Sequence, residues 1–267
     1  MSAVTTANGP ATTTGVVSFI VPPADETVEV YFHINADPVT GERKTNSTRA
    51  NRAIPIENLR GKEDSVTLDT AGFQYFHAPT VHKSFVNDDQ IRKEYYPESI
   101  ELIKRLTGAS RVEIFDHSTS LVSSTISSSS SITNWHDVGY IAIRRRIPGQ
   151  IDDSPDNRQP VPNAHVDQTT NPAIARVHRH LPASEAPELL KKRFQIINLW
   201  RPISHPAWDW PLALCDYSSV DTAKDTVPVA LIFPDRKGET LGIKYSENYK
   251  WKYLYGMTPD EIVLIKW

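Results

Sequence analysis

Hydrophobic positions in this chain alternate in short β-branched and aromatic runs more often than they recur at helical spacing. Residues 16–21 (Val-Val-Ser-Phe-Ile-Val) and 28–34 (Val-Glu-Val-Tyr-Phe-His-Ile) read as strands. A turn follows at Asp37-Pro38-Val39-Thr40-Gly41. The second half adds strands at 194–199, 227–233, 240–245, 251–255 and 261–266. Two stretches carry a helical period instead. Over 97–106 a proline opens the segment, Ile100, Ile103 and Leu106 recur on one side, and Gly108 stands just past the end. Over 184–194, Ser184 is placed to cap a helix that buries Leu189 and Leu190. The prediction is a mainly β fold with flanking helices. The 20 prolines suit long connections between antiparallel strands better than alternating βαβ units.

Residues 1–15 are small and polar without periodicity and read as a flexible leader, so 16–267 form the predicted single domain. Inside it, residues 118–143 hold a low-complexity serine tract. One reading is a surface insertion. The other is a translated, unspliced intron: Val122-Ser123 can be encoded as a splice donor, Thr133-Asn134 as a branch point, and Tyr140-Ile141-Ala142 can supply an acceptor.

Composition narrows the function. Lys+Arg number 29 against 32 Asp+Glu, so the broad basic surface of a nucleic-acid binder is not expected. Apolar runs are too short to span a bilayer, and no basic-then-apolar signal opens the chain, so a cytoplasmic location is expected. A single cysteine, Cys215, excludes an intrachain disulfide and multi-cysteine metal sites. Dinucleotide, Walker and nucleophile-elbow glycine motifs are missing.

The most informative motif is His165-Val166-Asp167. Residues two apart on a strand share a face, so an imidazole and a carboxylate can grip one metal ion from adjacent positions. With a distant second histidine they would complete a two-His-one-carboxylate facial triad. A hydrogen-bonded polar pair in a loop is the plainer alternative. On the strand 194–200, Asn198 and Trp200 are candidates to line a substrate pocket, or to pack in the core. Arg201 at its end is placed to pair with an anionic ligand, or with Asp209 or Asp216. His178 and His180 alternate like strand residues but sit among arginines, which disfavours a cation. His205 is the local substitute for a third histidine. His117 beside Asp116 could form an acid–base pair, and His77 and His82 are expected at the surface.

Several longer runs resemble one family. They are Val112-Glu113-Ile114-Phe115-Asp116-His117, Pro148-Gly149-Gln150-Ile151-Asp152-Asp153 and Ala164-His165-Val166-Asp167-Gln168-Thr169. Ile196-Ile197-Asn198-Leu199-Trp200-Arg201-Pro202-Ile203, Asp209-Trp210-Pro211-Leu212-Ala213-Leu214-Cys215-Asp216 and Tyr253-Leu254-Tyr255-Gly256-Met257-Thr258-Pro259-Asp260-Glu261 complete the set. Together they are similar to the fungal hydroxylase/desaturase family of the aspergillic-acid pathway type, related to the cephalosporin 7α-methoxylase small subunit. The resemblance implies a double-stranded β-helix (jelly-roll) core and a soluble oxidoreductase of secondary metabolism. It further implies iron(II), 2-oxoglutarate and O2 as cofactor and cosubstrates, a small-molecule substrate, and other pathway enzymes as partners.

On that resemblance His165 and Asp167 are two metal ligands. The family's distal His and its 2-oxoglutarate Arg would follow Ile265-Lys266, where this chain has Trp267. A C-terminally incomplete jelly-roll is therefore expected, with a sheet edge exposed after residues 261–266, poor solubility and no 2-oxoglutarate turnover. The competing reading is a non-redox binding or isomerising homologue that kept the pocket.

Overall fold

A computed structural model describes residues 8–114 and 160–267, apart from 36, 38, 39, 41, 86, 235 and 236. The serine tract, His117 and the run 148–153 lie outside the described residues. Two compact units emerge where the sequence suggested one domain. The first draws on Met1–His77, Pro162–Pro202 and Pro206–Trp267, the second on Ala78–Val161 and Ile203–His205.

The first unit is the β part, with three sheets. One sheet runs β1 (Thr12–Val21), β3 (Thr48–Asn58), β10 (Trp251–Tyr253), β7 (Ala213–Cys215). A second runs β2 (Val30–His33), β8 (Thr226–Ile232), β9 (Lys237–Ile243), β5 (His165–Val166). The third has β11 (Glu261–Lys266) between β4 (Phe73–His77) and β6 (Ile197–Trp200). Pairing is antiparallel except between β3 and β10 and between β2 and β8. The seven predicted strands form, as β1, β2, β6 and β8 to β11, with ends shifted by a few residues, while β3, β4 and β7 form where the sequence reading has no strand.

Three expectations change. β1 starts at Thr12, inside the stretch read as a leader, because Thr12–Gly15 pair with Glu57–Ile54 of β3. The side-chain amide of Asn58 ties the preceding residues further, donating to the carbonyls of Asn8 at 2.6 Å and Pro10 at 3.1 Å. Small polar residues carry no hydrophobic signal, yet their backbone pairs as well as any other. β11 is not a sheet edge: β4 and β6 flank it, and Ile262, Val263 and Leu264 have no exposed surface. Its apolar run suits a strand buried on both faces. Residues 170–180, whose two histidines alternate like strand residues, form helix α3 (Thr170–His180). Pro172 falls in its first turn, where a missing N–H costs nothing.

Aromatic packing closes the core of the sheets. Phe19 is fully buried and meets Tyr245, Tyr249 and Trp251 at ring-centroid distances of 5.3, 6.2 and 6.1 Å. A second cluster gathers Leu59, Phe73, Tyr75, Leu254, Met257 and Val263, with Trp200 packed against it. Short helices α4 (Ala186–Leu190) and α5 (Thr222–Asp225) complete this unit. Glu185, not Ser184, precedes α4, and the helix stops at Leu190 as Lys192 N–H turns back to the Leu189 carbonyl.

In the second unit, α1 (Asp88–Gln90) passes through a π-helical turn, Ile91–Tyr95, into α2 (Tyr96–Thr107). Gly108 ends α2 as the glycine spacing predicted, in the left-handed region at φ 70°, and its N–H bonds the Lys104 carbonyl. Ser99 and Leu102 are the buried residues of the helix, while Ile100, Ile103 and Leu106 are half-buried. His82 is buried rather than at the surface. Its Nδ1 lies 3.0 Å from Glu94 Oε2, and Phe85 and Tyr95 pack on its ring. The π turn carries both Glu94 and Tyr95 to it.

One ion pair locks the β10–β11 connection in the first unit. The Arg60 guanidinium donates to both oxygens of Glu261 and, through Nε and Nη2, to the Tyr255 carbonyl at 3.1 and 2.8 Å. Oε2 of Glu261 also accepts the Thr258 N–H at 2.7 Å. Burial alone would raise the Glu261 carboxyl, but the Arg60 and Thr258 hydrogen bonds outweigh it and hold the group below its ordinary value of 4.5. A carboxylate depressed in the folded state stabilises the fold above its unfolded pKa and loses that contribution as pH falls. Glu261→Gln should therefore destabilise the protein by about 2 kcal/mol at pH 7, since it removes charge-assisted hydrogen bonds to a half-buried guanidinium and leaves it the 3.4 Å contact with Glu63. Denaturant titrations from pH 7 to about 3 should find the gap to wild type narrowing below about pH 4.5. A constant gap would exclude this ion pair as the source.

Candidate metal centre

His165 and Val166 form the short strand β5, held from both sides. On one side His165 pairs with Gly242 and Val166 with Leu241 of β9. On the other, the residues leading into β5 bond to β1: Ser18 N–H reaches the Pro162 carbonyl at 3.0 Å, and Ala164 N–H reaches the Ser18 carbonyl at 2.9 Å. Gly242 makes the arrangement possible, because a Cβ there would lie 2.8 Å from Cδ1 of Ile20 and 3.2 Å from Cγ2 of Val229. Ala164 is buried and Val166 packs against the Phe19 cluster, so the polar neighbours are carried on an apolar base. Beyond the backbone ladder, the Thr240 hydroxyl donates to the Val166 carbonyl at 2.6 Å, and Thr169 donates to Glu239.

Within this clamp His165 Nε2 and Asp167 Oδ1 stand 2.9 Å apart, both partly open to solvent. Nδ1 of His165 lies 2.8 Å from the Asn163 carbonyl. A carbonyl only accepts, so Nδ1 must carry a proton. In the neutral imidazole the Nε2 lone pair therefore points at a carboxylate oxygen, and two acceptors cannot rest there alone. Either a second proton or a cation belongs between them. Two cis ligands of an octahedral ion, each about 2.1 Å away, would be about 3 Å apart, the separation found. A backbone carbonyl on the far ring nitrogen is also how metal-bound histidines are commonly oriented. The pair fits two donor positions. Among the described residues, no third His, Cys, Asp or Glu joins it to make a three-ligand group.

The other oxygen of Asp167 is engaged as well. Asn198, on β6, donates through Nδ2 to Oδ2 at 3.2 Å. Asn198 is exposed, not the buried amide that its strand pattern suggested, because β6 is the edge of its sheet. The structure thus joins His165, Asp167 and Asn198. Trp200 packs on the second core cluster, and Arg201 donates to the Pro259 carbonyl at 2.6 Å. His178 and His180 are exposed on α3, and burial, with Arg176 and Arg179 nearby, holds the His180 pKa down. His205 falls in the second unit. Burial pushes the Cys215 thiol up to about 11, which keeps it protonated and poorly nucleophilic.

Asn163, Thr240 and Glu239 were not visible as site residues in the sequence. Asn163 acts through a backbone carbonyl, which every residue has. Thr240 and Glu239 could have been found only from the pairing of β5 with β9.

Comparison with known proteins places the chain in a family. The family described as "Oxidoreductase/YMDC permease-like domain" matches residues 17–267. Hydroxylase/desaturase CTB9 of Cercospora beticola is 32% identical over 225 residues, covering 80% of this chain and 64% of that protein. Hydroxylase/desaturase efuI of Hormonema carpetanum is 31% identical over 227 residues, covering 80% and 70%. The Fe(II)/2-oxoglutarate-dependent dioxygenase nvfI of Aspergillus novofumigatus is 27% identical over 255 residues, covering 93% and 80%. The chain belongs to this oxidoreductase family, among its fungal hydroxylase/desaturases. It spans a little under two thirds of the length of CTB9.

Among solved structures, a variant of iron and alpha-ketoglutarate-dependent endoperoxidase NvfI superposes with a TM-score of 0.76 at 23% identity, covering 98% of this chain and 85% of that one. That likeness gives the fold, a β-rich jelly-roll core. Among the described residues, no helix is long and apolar enough to cross a membrane.

Because the Thr240 hydroxyl satisfies the carbonyl between the two donors, Thr240→Val should cost about 1 kcal/mol. Hydrogen exchange across residues 163–168 should quicken, while the Phe19 cluster keeps its protection. Unchanged exchange there would remove Thr240 from the clamp.

Proposed function

We propose that this protein is a hydroxylase/desaturase of fungal secondary metabolism that acts on a small molecule with iron(II), 2-oxoglutarate and O2. The observation that carries the reading is the facing pair of His165 Nε2 and Asp167 Oδ1, with the Nδ1 proton fixed on Asn163. Names of relatives support it: a hydroxylase/desaturase in two cases, an Fe(II)/2-oxoglutarate-dependent dioxygenase in a third. A single free cysteine suits the reducing cytoplasm.

In this reading His165 and Asp167 hold the metal. Iron(II) held there would supply, with 2-oxoglutarate and O2 as cosubstrates, the oxidising power for hydroxylation or desaturation of a small molecule. The residues of this chain contribute orientation. The Asn163 carbonyl fixes the tautomer of His165, so Nε2 is the donor nitrogen. Pairing of β5 with β9 and the bonds from β1 keep both side chains in place without metal, which lowers the ordering cost of binding it. Partial exposure of both side chains leaves the donors reachable from solvent.

Anaerobic calorimetry with iron(II) tests the reading, alongside succinate formation from 2-oxoglutarate. His165→Ala and Asp167→Ala should each weaken iron(II) by more than about 100-fold, beyond what losing an outer partner costs. Iron(II) affinity that is indifferent to both substitutions would overturn the proposal.

A further inference from the structure

We infer that Asn198 is a positioning residue that keeps Asp167 to a single metal-facing oxygen. The inference rests on the reading of His165 and Asp167 as metal donors and concerns what orients the second of them. A carboxylate has two oxygens and about four lone-pair sites, so a free aspartate can chelate an ion through both. Chelation would consume a position that an octahedral centre needs for its other ligands. Here the two oxygens are assigned separately. Oδ1 faces His165 Nε2 at 2.9 Å, and Oδ2 accepts from Asn198 Nδ2 at 3.2 Å. The amide must present its nitrogen, because an ionised carboxylate offers no donor.

The supporting elements make this more than a chance surface contact. Asn198 and Asp167 are 31 residues apart, and β6, which carries Asn198, belongs to a different sheet from β5, which Asp167 follows. Asn198 is paired with Ile265 of β11, next to the fully buried Leu264. Asp167 directly follows β5, clamped by β1 and β9. Both ends of the hydrogen bond are therefore mounted on rigid backbone, and the bond fixes the carboxylate's rotation about its last torsion. Asn198 and Asp167 are both solvent-exposed, so water can replace the bond at little cost to folding. What water cannot replace is the fixed direction. The amide should consequently matter for metal binding and hardly at all for stability.

The test uses the full chain with Mn(II) and Co(II) as probes under anaerobic conditions. Asn198→Ala removes the donor, and Asn198→Leu removes it at nearly constant size, so a packing defect in one variant cannot mask the result. Both should melt within a degree or two of wild type, yet weaken Mn(II) by about 10- to 100-fold in calorimetry, the usual effect of losing an outer hydrogen bond to a ligand. The visible Co(II) spectrum should change in band shape, because the carboxylate becomes free to chelate. A purely structural role for Asn198 would move the melting temperature and leave the spectrum alone. Wild-type Mn(II) affinity together with a wild-type Co(II) spectrum in both variants would overturn this inference while leaving the metal reading intact. If His165→Ala binds Mn(II) as wild type does, the metal reading itself falls, and the role of Asn198 falls with it.

Discussion

Two acceptor atoms cannot face each other at 2.9 Å without positive charge between them, and the region around His165 and Asp167 is organised to hold them in that position. The Asn163 carbonyl claims the proton on Nδ1 and so turns Nε2 into an acceptor. Asn198 takes the far oxygen of Asp167 and leaves Oδ1 in place. Each partner alone would be an ordinary hydrogen bond worth about 1 kcal/mol. Together they turn Nε2 and Oδ1 toward one shared point, where a proton or a cation of the right size satisfies both. The apolar cluster around Phe19 serves this arrangement, since Val166 anchors in it between the two polar side chains.

Much of the scaffold could be read from the sequence because burial writes a period into it. β11 was placed to the residue, since an uninterrupted apolar run bounded by polar residues has few alternatives. α2 was placed within a residue at each end, since a proline and a left-handed glycine mark its limits. Where the sequence misled, a different force decided. Thr12–Gly15 are in a strand by backbone pairing alone. Residues 178–180 alternate polar types, but solvent-facing helices accept any polar order, so the alternation carried no information. His82 looked exposed beside prolines, yet Phe85 and, from the π turn, Tyr95 bury it against Glu94. The split into two units left no mark in composition.

The site itself was half readable. A histidine and an aspartate two apart announce themselves, because strand geometry puts them on one face. Their orienting partners do not, because each arrives by a separate route. Asn163 comes from the same chain segment but through its backbone, Thr240 through the pairing of β9, and Asn198 through a different sheet. On Asn198 the strand pattern named the residue for the wrong reason: it suggested a buried amide awaiting a substrate, and the structure gives an exposed amide bonded to Asp167.

That difference bears on how such a centre can be altered by evolution. β5 contributes two residues, and nearly all its definition comes from neighbours: β1 before it, β9 beside it, β6 across from Asp167. A short strand held in this way can tolerate change at its exposed positions without moving the donors, because register is set by the backbone of longer strands. The position that cannot change freely is Gly242, opposite His165, where any side chain would collide with Ile20. Precision in the facing of His165 and Asp167 thus depends less on the His-x-Asp tripeptide than on a glycine 77 positions beyond the histidine, whose missing side chain lets β9 lie close enough to β1 for both to grip the same short segment.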